Sequence, residues 1–437
     1  MSIVLMLCLS ALFDVKTIPL HTPDSHVFLA HADRDSQADV FVLEKGAITV
    51  FSSLLDNVRT IPLPDGTTAV DVADLDNDGQ TELVVVCGDR ILSIRLDAEE
   101  TPTPHDLFSL HTQLAEQESG SPSSSATPYP FVLTVLRDGK TLLALPCEET
   151  FELRTPDGAW TSEPARLRAR DGIEGGVSRT VAFEPDLPDE LEGAPVHARS
   201  FRRGTPSQTR DAALLGQESW PWFPLTLDGR GNMRVLYALA ASDFWDTVVR
   251  IQGYAGKSVT SPERRYPGRL VALEEDLPDF NHDGYADLLL WSTPDPGMSV
   301  GAATRVIAAG TWPVSLSAHL FSPEKGRYEP AAASRVTCAV PIAWFLTPEE
   351  SGPVRHCVLR DFDGDGRTDL ACATAPNRFV VWRYTESGFS PSPDFERSFP
   401  EPIAEAAFKA DLAGNGKTSL GLRTEHALYV LFATATR

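Results

Sequence analysis

The chain lacks the short motifs by which many enzymes can be read. Its 437 residues contain no HExxH, no GxSxG, no P-loop and no GxGxxG, so neither a zinc peptidase, a serine hydrolase nor a nucleotide-binding site has local support. The ten histidines are scattered, and no two stand in metal-ligand spacing. No run approaches the 18 apolar residues of a membrane-spanning helix, so no membrane insertion of the mature chain is expected. The six cysteines (Cys8, Cys87, Cys147, Cys338, Cys357, Cys372) form no CxxC pair and no zinc spacing. Basic residues are few: 38 Lys and Arg stand against 61 Asp and Glu, a net charge of −23. Such a surface disfavours nucleic acid or an anionic membrane as a partner.

What the chain does have is a repeated acidic loop. Its clearest copy places Asp361, Asp363, Asp365 and Asp369 at positions one, three, five and nine, with Gly366 at position six and an apolar run after it. Carboxylates at alternate positions of a turning backbone converge and repel, unless a hard cation lies between them; Ca²⁺ takes oxygen ligands of this kind. Gly366 allows the turn because it has no Cβ to clash at positive φ. Two further copies are near-complete: Asp74, Asp76, Asp78, Gly79 and Glu82, and Asp279, Asn281, Asp283, Gly284 and Asp287. An EF-hand would need a bidentate Glu at position twelve and flanking helices. Position twelve is Val85, Leu290 or Cys372, and the flanking runs read as strands. The ninth-position carboxylate therefore closes the loop.

Four weaker copies share this register. They begin at His31 (with Asp33, Asp35 and Asp39), Thr134 (Asp138, Gly139), Pro224 (Asp228, Gly229, Asn232) and Asp411 (Asn415, Gly416, Ser419). Each unit has an apolar strand before the loop, a near-continuous apolar strand after it, and an alternating third strand such as Gly46–Phe51, Arg90–Arg95, Arg378–Trp382 or Ala427–Phe432. The continuous runs suit inner strands and the alternating ones half-buried outer strands. A fourth strand completes each unit. The expectation is an all-β chain, a β-propeller of four-stranded blades, seven in number. The segment Asp14–Leu20 is expected to pair within the same blade as the C-terminal strands.

At this point the chain resembles the FG-GAP/VCBS repeat family, the propellers related to the integrin α-chain head. The aspartate loops carry the resemblance, over about residues 29 to 432. It implies that each loop joins the first and second strands of a blade and binds Ca²⁺, at about three structural sites. The implied ligands are Asp74, Asp76, Asp78 and Glu82; Asp279, Asn281, Asp283 and Asp287; and Asp361, Asp363, Asp365 and Asp369. The seventh-position backbone carbonyls of Gln80, Tyr285 and Arg367 would complete them. The chain departs from the pattern at Ala413, Asn415 and Ser419, so the last loop is expected to be empty.

One domain is expected over 14–437, interrupted by insertions near 98–130 and 151–220. The first is rich in Ser, Pro and Glu and reads as solvated. The second carries nine Arg, among them Arg154, Arg202 and Arg203, within a stretch from Lys140 to Lys257 that has no Lys between. Arg forks suit carboxylates, either of an acidic ligand or of the chain's own surface. Residues 1–13 are almost wholly apolar and suit the core of a secretory signal or a buried first strand, although no Lys or Arg precedes Lys16. Cys338 and Cys357 are candidates for a disulfide in an oxidising compartment. Trp220, Trp222, Trp245 and Trp291 suit either sugar stacking or the core. The function expected is a calcium-binding extracytoplasmic protein, secreted, periplasmic or cell-surface, that binds a protein or glycan without catalysis. The alternative is a propeller-based glycan-degrading enzyme such as a polysaccharide lyase, its site assembled from several blades.

Overall fold

Runs such as Leu83–Val86 and Leu288–Trp291 are β-branched, aliphatic or aromatic and too short for helices, and both become strands. The computed structural model describes residues 12–32, 37–52, 54–75, 81–96, 104–109, 129–130, 134–137, 140–146, 150–154, 160–164, 222–226, 233–240, 246–253, 259–260, 264–271, 278–285, 287–293, 304, 306, 308–345 and 354–433. Among them strands form nine sheets. Two are two-stranded hairpins, and the other seven have four or five strands. We number these seven I to VII. Sheet I runs His26–Ala30, Asp39–Glu44, Ala47–Ser52, Asn57–Pro62. Sheet II runs Thr67–Ala73, Glu82–Cys87, Arg90–Arg95, His105–Ser109, with Tyr129–Pro130 added in parallel to its first strand. Sheet III runs Thr134–Arg137, Lys140–Pro146, Thr150–Arg154, Trp160–Pro164, and sheet IV Trp222–Thr226, Met233–Ala240, Asp246–Gly253, Val259–Thr260, with Arg264–Pro267 also on its third strand. Sheet V runs Arg269–Leu270, Leu288–Ser292, Thr311–His319, Ser334–Pro341; sheet VI runs Arg355–Arg360, Asp369–Ala375, Arg378–Trp382, Phe395–Ser398. Sheet VII runs Glu405–Ala410, Ser419–Arg423, Ala427–Ala433 and, last, Phe13–Pro19.

The chain is thus all-β, built from antiparallel meanders. The expected pairing of the first strand with the last sheet is present: Phe13 pairs with Ala433 and Pro19 with Ala427. Contacts group the chain into two units, one holding Asp186–Ile403 and the other Phe13–Pro185 with Ala404–Ala435. Sheets IV, V and VI fall in the first unit, and sheets I, II, III and VII in the second. Residues 1–11 lie outside the described residues, and Phe13 opens a strand with its side chain buried. Residues 165–221 also lie outside them, and with them most of the Arg-rich segment. Its first part, to Arg154, is the third strand of sheet III, and His105–Ser109, inside the other expected insertion, is the fourth strand of sheet II.

Burial follows strand position. Second strands are buried along nearly their whole length, as in Glu82–Cys87 and Asp369–Ala375. Fourth strands alternate: every second residue of Ser334–Pro341 is buried. The third strands differ from expectation. Among the described third strands Ala47–Ser52 alternates, whereas Arg378–Trp382 and Ala427–Ala433 are buried on both faces. In-sheet neighbours cover their edges, and core packing covers their faces, with Val380 and Trp382 in one cluster and Leu428, Val430 and Phe432 in another.

Sheet V also encloses a histidine. His319 lies at 2% exposure, its Nδ1 3.0 Å from the carbonyl oxygen of Glu329 and its ring edge-on to Tyr266 at 5.4 Å. Burial pushes its pKa below the ordinary histidine value; the Glu329 contact opposes that, and Arg335 adds to it. A depressed histidine stabilises the fold above its unfolded pKa, near 6.5, and loses that contribution as pH falls through its folded value. The stability advantage of the wild type over His319→Gln is therefore expected to be largest above pH 7. It should shrink on acidification to pH 5 by up to ~1.4 kcal/mol per unit of depression, as read from urea unfolding at each pH.

Candidate metal-binding loops

Every recurrent loop of the sequence lies at the same topological step, between the first and second strands of a sheet. Residues 31–38, 74–81, 271–287, 361–368 and 411–418 make that step in sheets I, II, V, VI and VII. In sheets III and IV, Asp138, Gly139, Asp228, Gly229 and Asn232 are outside the described residues, as are Asp33, Asp35, Asp76, Asp78 and Gln80.

In the 361–369 loop, one ligand atom each from Asp361, Asp363 and Asp369 lies within 4.8 Å of the others. This is a hard, all-oxygen donor set, and its geometry fits a cation such as Ca²⁺. Both oxygens of Asp361 also accept loop N–H groups, from Gly364 at 2.6 Å and Gly366 at 2.7 Å. Asp365 accepts the N–H of Arg367 at 2.8 Å and pairs with its guanidinium at 3.3 Å. Arg367 also reaches Glu386 at 3.6 Å. Asp363 has Arg383 3.4 Å away, and Arg383 is itself held by Asp394 at 2.7 Å.

The 279–287 loop repeats the plan. Asp279 accepts the N–H groups of Asp283 at 3.1 Å and Gly284 at 2.9 Å. Asn281 donates to Asp283 at 2.8 Å, while its own Oδ1 is shut off from water and accepts no hydrogen bond. A buried acceptor without a donor suits a cation. Tyr285, at position seven, stacks on Phe321 at 5.7 Å. In the 74–82 loop, Asp74 is half-buried and Glu82 buried. In the 411–419 loop, Asp411 accepts the N–H groups of Asn415 at 3.0 Å and Gly416 at 2.6 Å.

The ninth-position carboxylate does something the sequence did not reveal. Asp369, wholly buried, accepts the N–H of Phe362 at 3.0 Å and that of Tyr384 at 2.7 Å. Asp287, also wholly buried, accepts those of Phe280 at 2.9 Å and Phe321 at 2.8 Å. Glu82 accepts from Leu75 at 2.9 Å, and Asp39 from Ala32 at 2.6 Å. The acceptor always lies seven residues beyond its position-two donor. Burial pushes the Asp369 and Asp287 carboxyls up to about 8 each. The two N–H donors pull each back, and the loop's other aspartates add to the rise. A bound cation would relieve that crowding, which is a second way in which the residues fit one.

Position two is an apolar anchor: Leu75, Phe280, Phe362 and Leu412 are all buried. A large apolar residue between the first two polar positions was the signal available in the sequence. Position four is the other missed feature. His282, Gly364 and Gly414 have φ of 57°, 80° and 63°, as positive as the position-six Gly284, Gly366 and Gly416 at 82°, 85° and 78°. Among the described loops His282 is the side chain that accepts this left-handed backbone. Its ring lies over Gly366 of the next loop, and Thr368 donates to the Asp279 carbonyl at 3.3 Å, so consecutive loops touch. Of the aromatic candidates, Trp291 is buried in the core; the Trp222 side chain and the whole of Trp220 and Trp245 are not among the described positions.

No protein-family model matches the chain, and neither does any curated protein. The FG-GAP/VCBS resemblance therefore stands on the loop residues alone. Among solved structures, BBS1N in complex with ARL6DN is similar at 11% identity over 98% of each chain, with a TM-score of 0.36. An Agrocybe aegerita lectin that recognises non-reducing terminal N-acetylglucosamine is similar at 10% identity over 94% of this chain and 86% of that one, TM-score 0.32. Virginiamycin B lyase from Staphylococcus aureus is similar at 11% identity over 97% and 100%, TM-score 0.31. TM-scores this low carry no argument about this chain.

Positions nine and three are expected to separate in mutagenesis. Asp369→Ala strands two buried N–H groups, at about 1–3 kcal/mol each, and should lower stability even with a chelator present. Asp363→Asn removes one of several crowded charges and should leave chelated stability within about 0.5 kcal/mol of wild type. Urea unfolding in excess chelator measures both.

Proposed function

We propose that the chain is a seven-bladed β-propeller of the FG-GAP/VCBS type, with sheets I to VII as its blades. In this reading it is a calcium-binding, extracytoplasmic protein, acting as a non-catalytic binding or scaffold module for a protein or glycan. The observation that carries the calcium reading is the convergence of Asp361, Asp363 and Asp369 within 4.8 Å, in a loop whose relatives stand at the same step of sheets I, II, V and VII. The pairing of Phe13–Pro19 with Ala427–Ala433 supports closure, because it joins the two ends of the chain in one blade. Three sites are proposed, at Asp74–Glu82, Asp279–Asp287 and Asp361–Asp369, with the 411–419 loop empty.

All candidate ligands of a site come from one loop, so calcium here holds a turn rather than a substrate. Extracellular calcium modules bind with Kd of about 10⁻⁴–10⁻³ M. At millimolar calcium, that stabilises the fold by on the order of 1 kcal/mol per site through mass action.

Calorimetric titration of the metal-stripped protein is expected to show calcium binding in that range, weakened by Asp361→Asn with Asp363→Asn. Calcium should raise the thermal midpoint by a few degrees over the chelated protein. An unchanged midpoint together with a flat titration would overturn the calcium reading. A glycan array and a pull-down, each with and without calcium, test the binding role. Turnover of an arrayed polysaccharide would replace it with the lyase alternative.

A further inference from the structure

Sheets V and VI bring three thiols into one apolar core. Cys338 comes from the fourth strand of sheet V, Cys357 from the first strand of sheet VI and Cys372 from the second; all three are free and buried, at 9%, 6% and 0% exposure. The sequence suggested Cys338 with Cys357 as a disulfide. The structure leaves both reduced and adds a second candidate partner in the same core. Val358 pairs with Ala371 and Arg355 with Ala373, so Cys372, the one residue between them on the second strand, lies opposite the bulge formed by His356 and Cys357. The Cys357 thiol lies near enough to Cys372 to raise its pKa. A disulfide spans Cα atoms about 4.4–6.8 Å apart, and the paired rungs on either side of the bulge hold the two strands about 4.5–5.5 Å apart. The ladder shifts register between Arg355 and Val358, and His356 there has a φ of 51°.

We infer that Cys357 and Cys372 are a redox-convertible pair, forming a disulfide across the first two strands of sheet VI in an oxidising compartment and persisting as core thiols in a reducing one. The oxidant is a small-molecule disulfide. A protein thiolate attacks it, releasing one small thiol and leaving a mixed disulfide. The second cysteine then displaces the other small thiol. Two protons and two electrons leave the protein, one S–S bond forms, and one S–S bond of the oxidant is reduced. Cys338 is the odd thiol of the group and belongs to the same core from the neighbouring sheet.

Burial makes the reaction slow in the folded protein. It pushes the Cys338 thiol up to about 12, and it raises Cys372 well above the ordinary value together with the hydrogen bond to Cys357, which is the larger cause. The nucleophilic thiolate is correspondingly scarce. The bond is therefore expected to form during folding rather than afterwards.

The test refolds the reduced full-length chain in a glutathione redox buffer, alkylates the remaining thiols under denaturing conditions and maps peptides by mass spectrometry. The number of alkylated cysteines is expected to fall from six to four, with Cys357 and Cys372 in one cross-linked peptide. The thermal midpoint should rise by a few degrees and return on treatment with dithiothreitol. In Cys372→Ser the cross-link should move to Cys338–Cys357. Full alkylation of the wild type, or a dominant cross-link that excludes the Cys357–Cys372 pair, overturns the inference. If Cys372→Ser fails to fold, the wild-type map alone decides. None of these readouts depends on calcium.

Discussion

The structure depends on a carboxylate buried where two strands part. When the chain leaves the first strand of a sheet and turns through the loop, the N–H of position two is carried into the apolar core with its large side chain. Left alone it would cost about 1–3 kcal/mol. The ninth-position acid returns seven residues later and accepts it. In Asp287 and Asp369 the second oxygen accepts another N–H, from the first residue of the two-stranded hairpin that follows the third strand. One side chain thus joins the loop, the second strand and the hairpin. The sheet VI hairpin carries aromatic contacts to the loop of sheet V: Phe280 stacks on Tyr384 at 5.2 Å and meets Phe389 edge-on at 5.3 Å.

Charge is the cost of that arrangement. A neutral side chain could accept an N–H, but it lacks the two equivalent acceptor oxygens of a carboxylate. The degenerate loop at 411–419 shows the consequence. Ser419 takes the ninth place and accepts the N–H of Ala433 at 3.3 Å, while the N–H of Leu412 turns to the carbonyl of Ala410 at 3.1 Å. The loop keeps its shape because Asp411 still gathers the N–H groups of Asn415 and Gly416. Turn formation and acid-mediated closure are therefore separable parts of the motif, and the first survives loss of the second.

The sequence made the local chemistry legible. Left-handed glycines at position six, buried runs after each loop, and the return of the first strand to the last sheet could all be read from residue order. What could not be read depends on neighbours distant in the chain. The N–H partners of Asp369 include Tyr384, fixed only once the third strand is laid down. The third strands of sheets VI and VII read as half-buried, because what covers their second face lies elsewhere in the chain. Cys357 was matched with Cys338 from the sequence; that Cys372 stands opposite the bulge holding Cys357 depends on the register of Val358 with Ala371. His282 hid the left-handed backbone at position four, which Gly364 and Gly414 suggest only when the loops are aligned.

Sheet VII has a further consequence, in time rather than space. Its fourth strand, Phe13–Pro19, is made long before its partner Ala427–Ala433. At about 5–20 residues per second of synthesis, the early strand spends roughly 20–90 s with an unpaired edge. Exposed edges recruit wrong partners, and charged side chains are a common protection. Asp14 and Lys16 are the charged residues of this strand. In the finished sheet Lys16 is reused, bonded to Asp56 at 2.8 Å and set over the ring of Phe432.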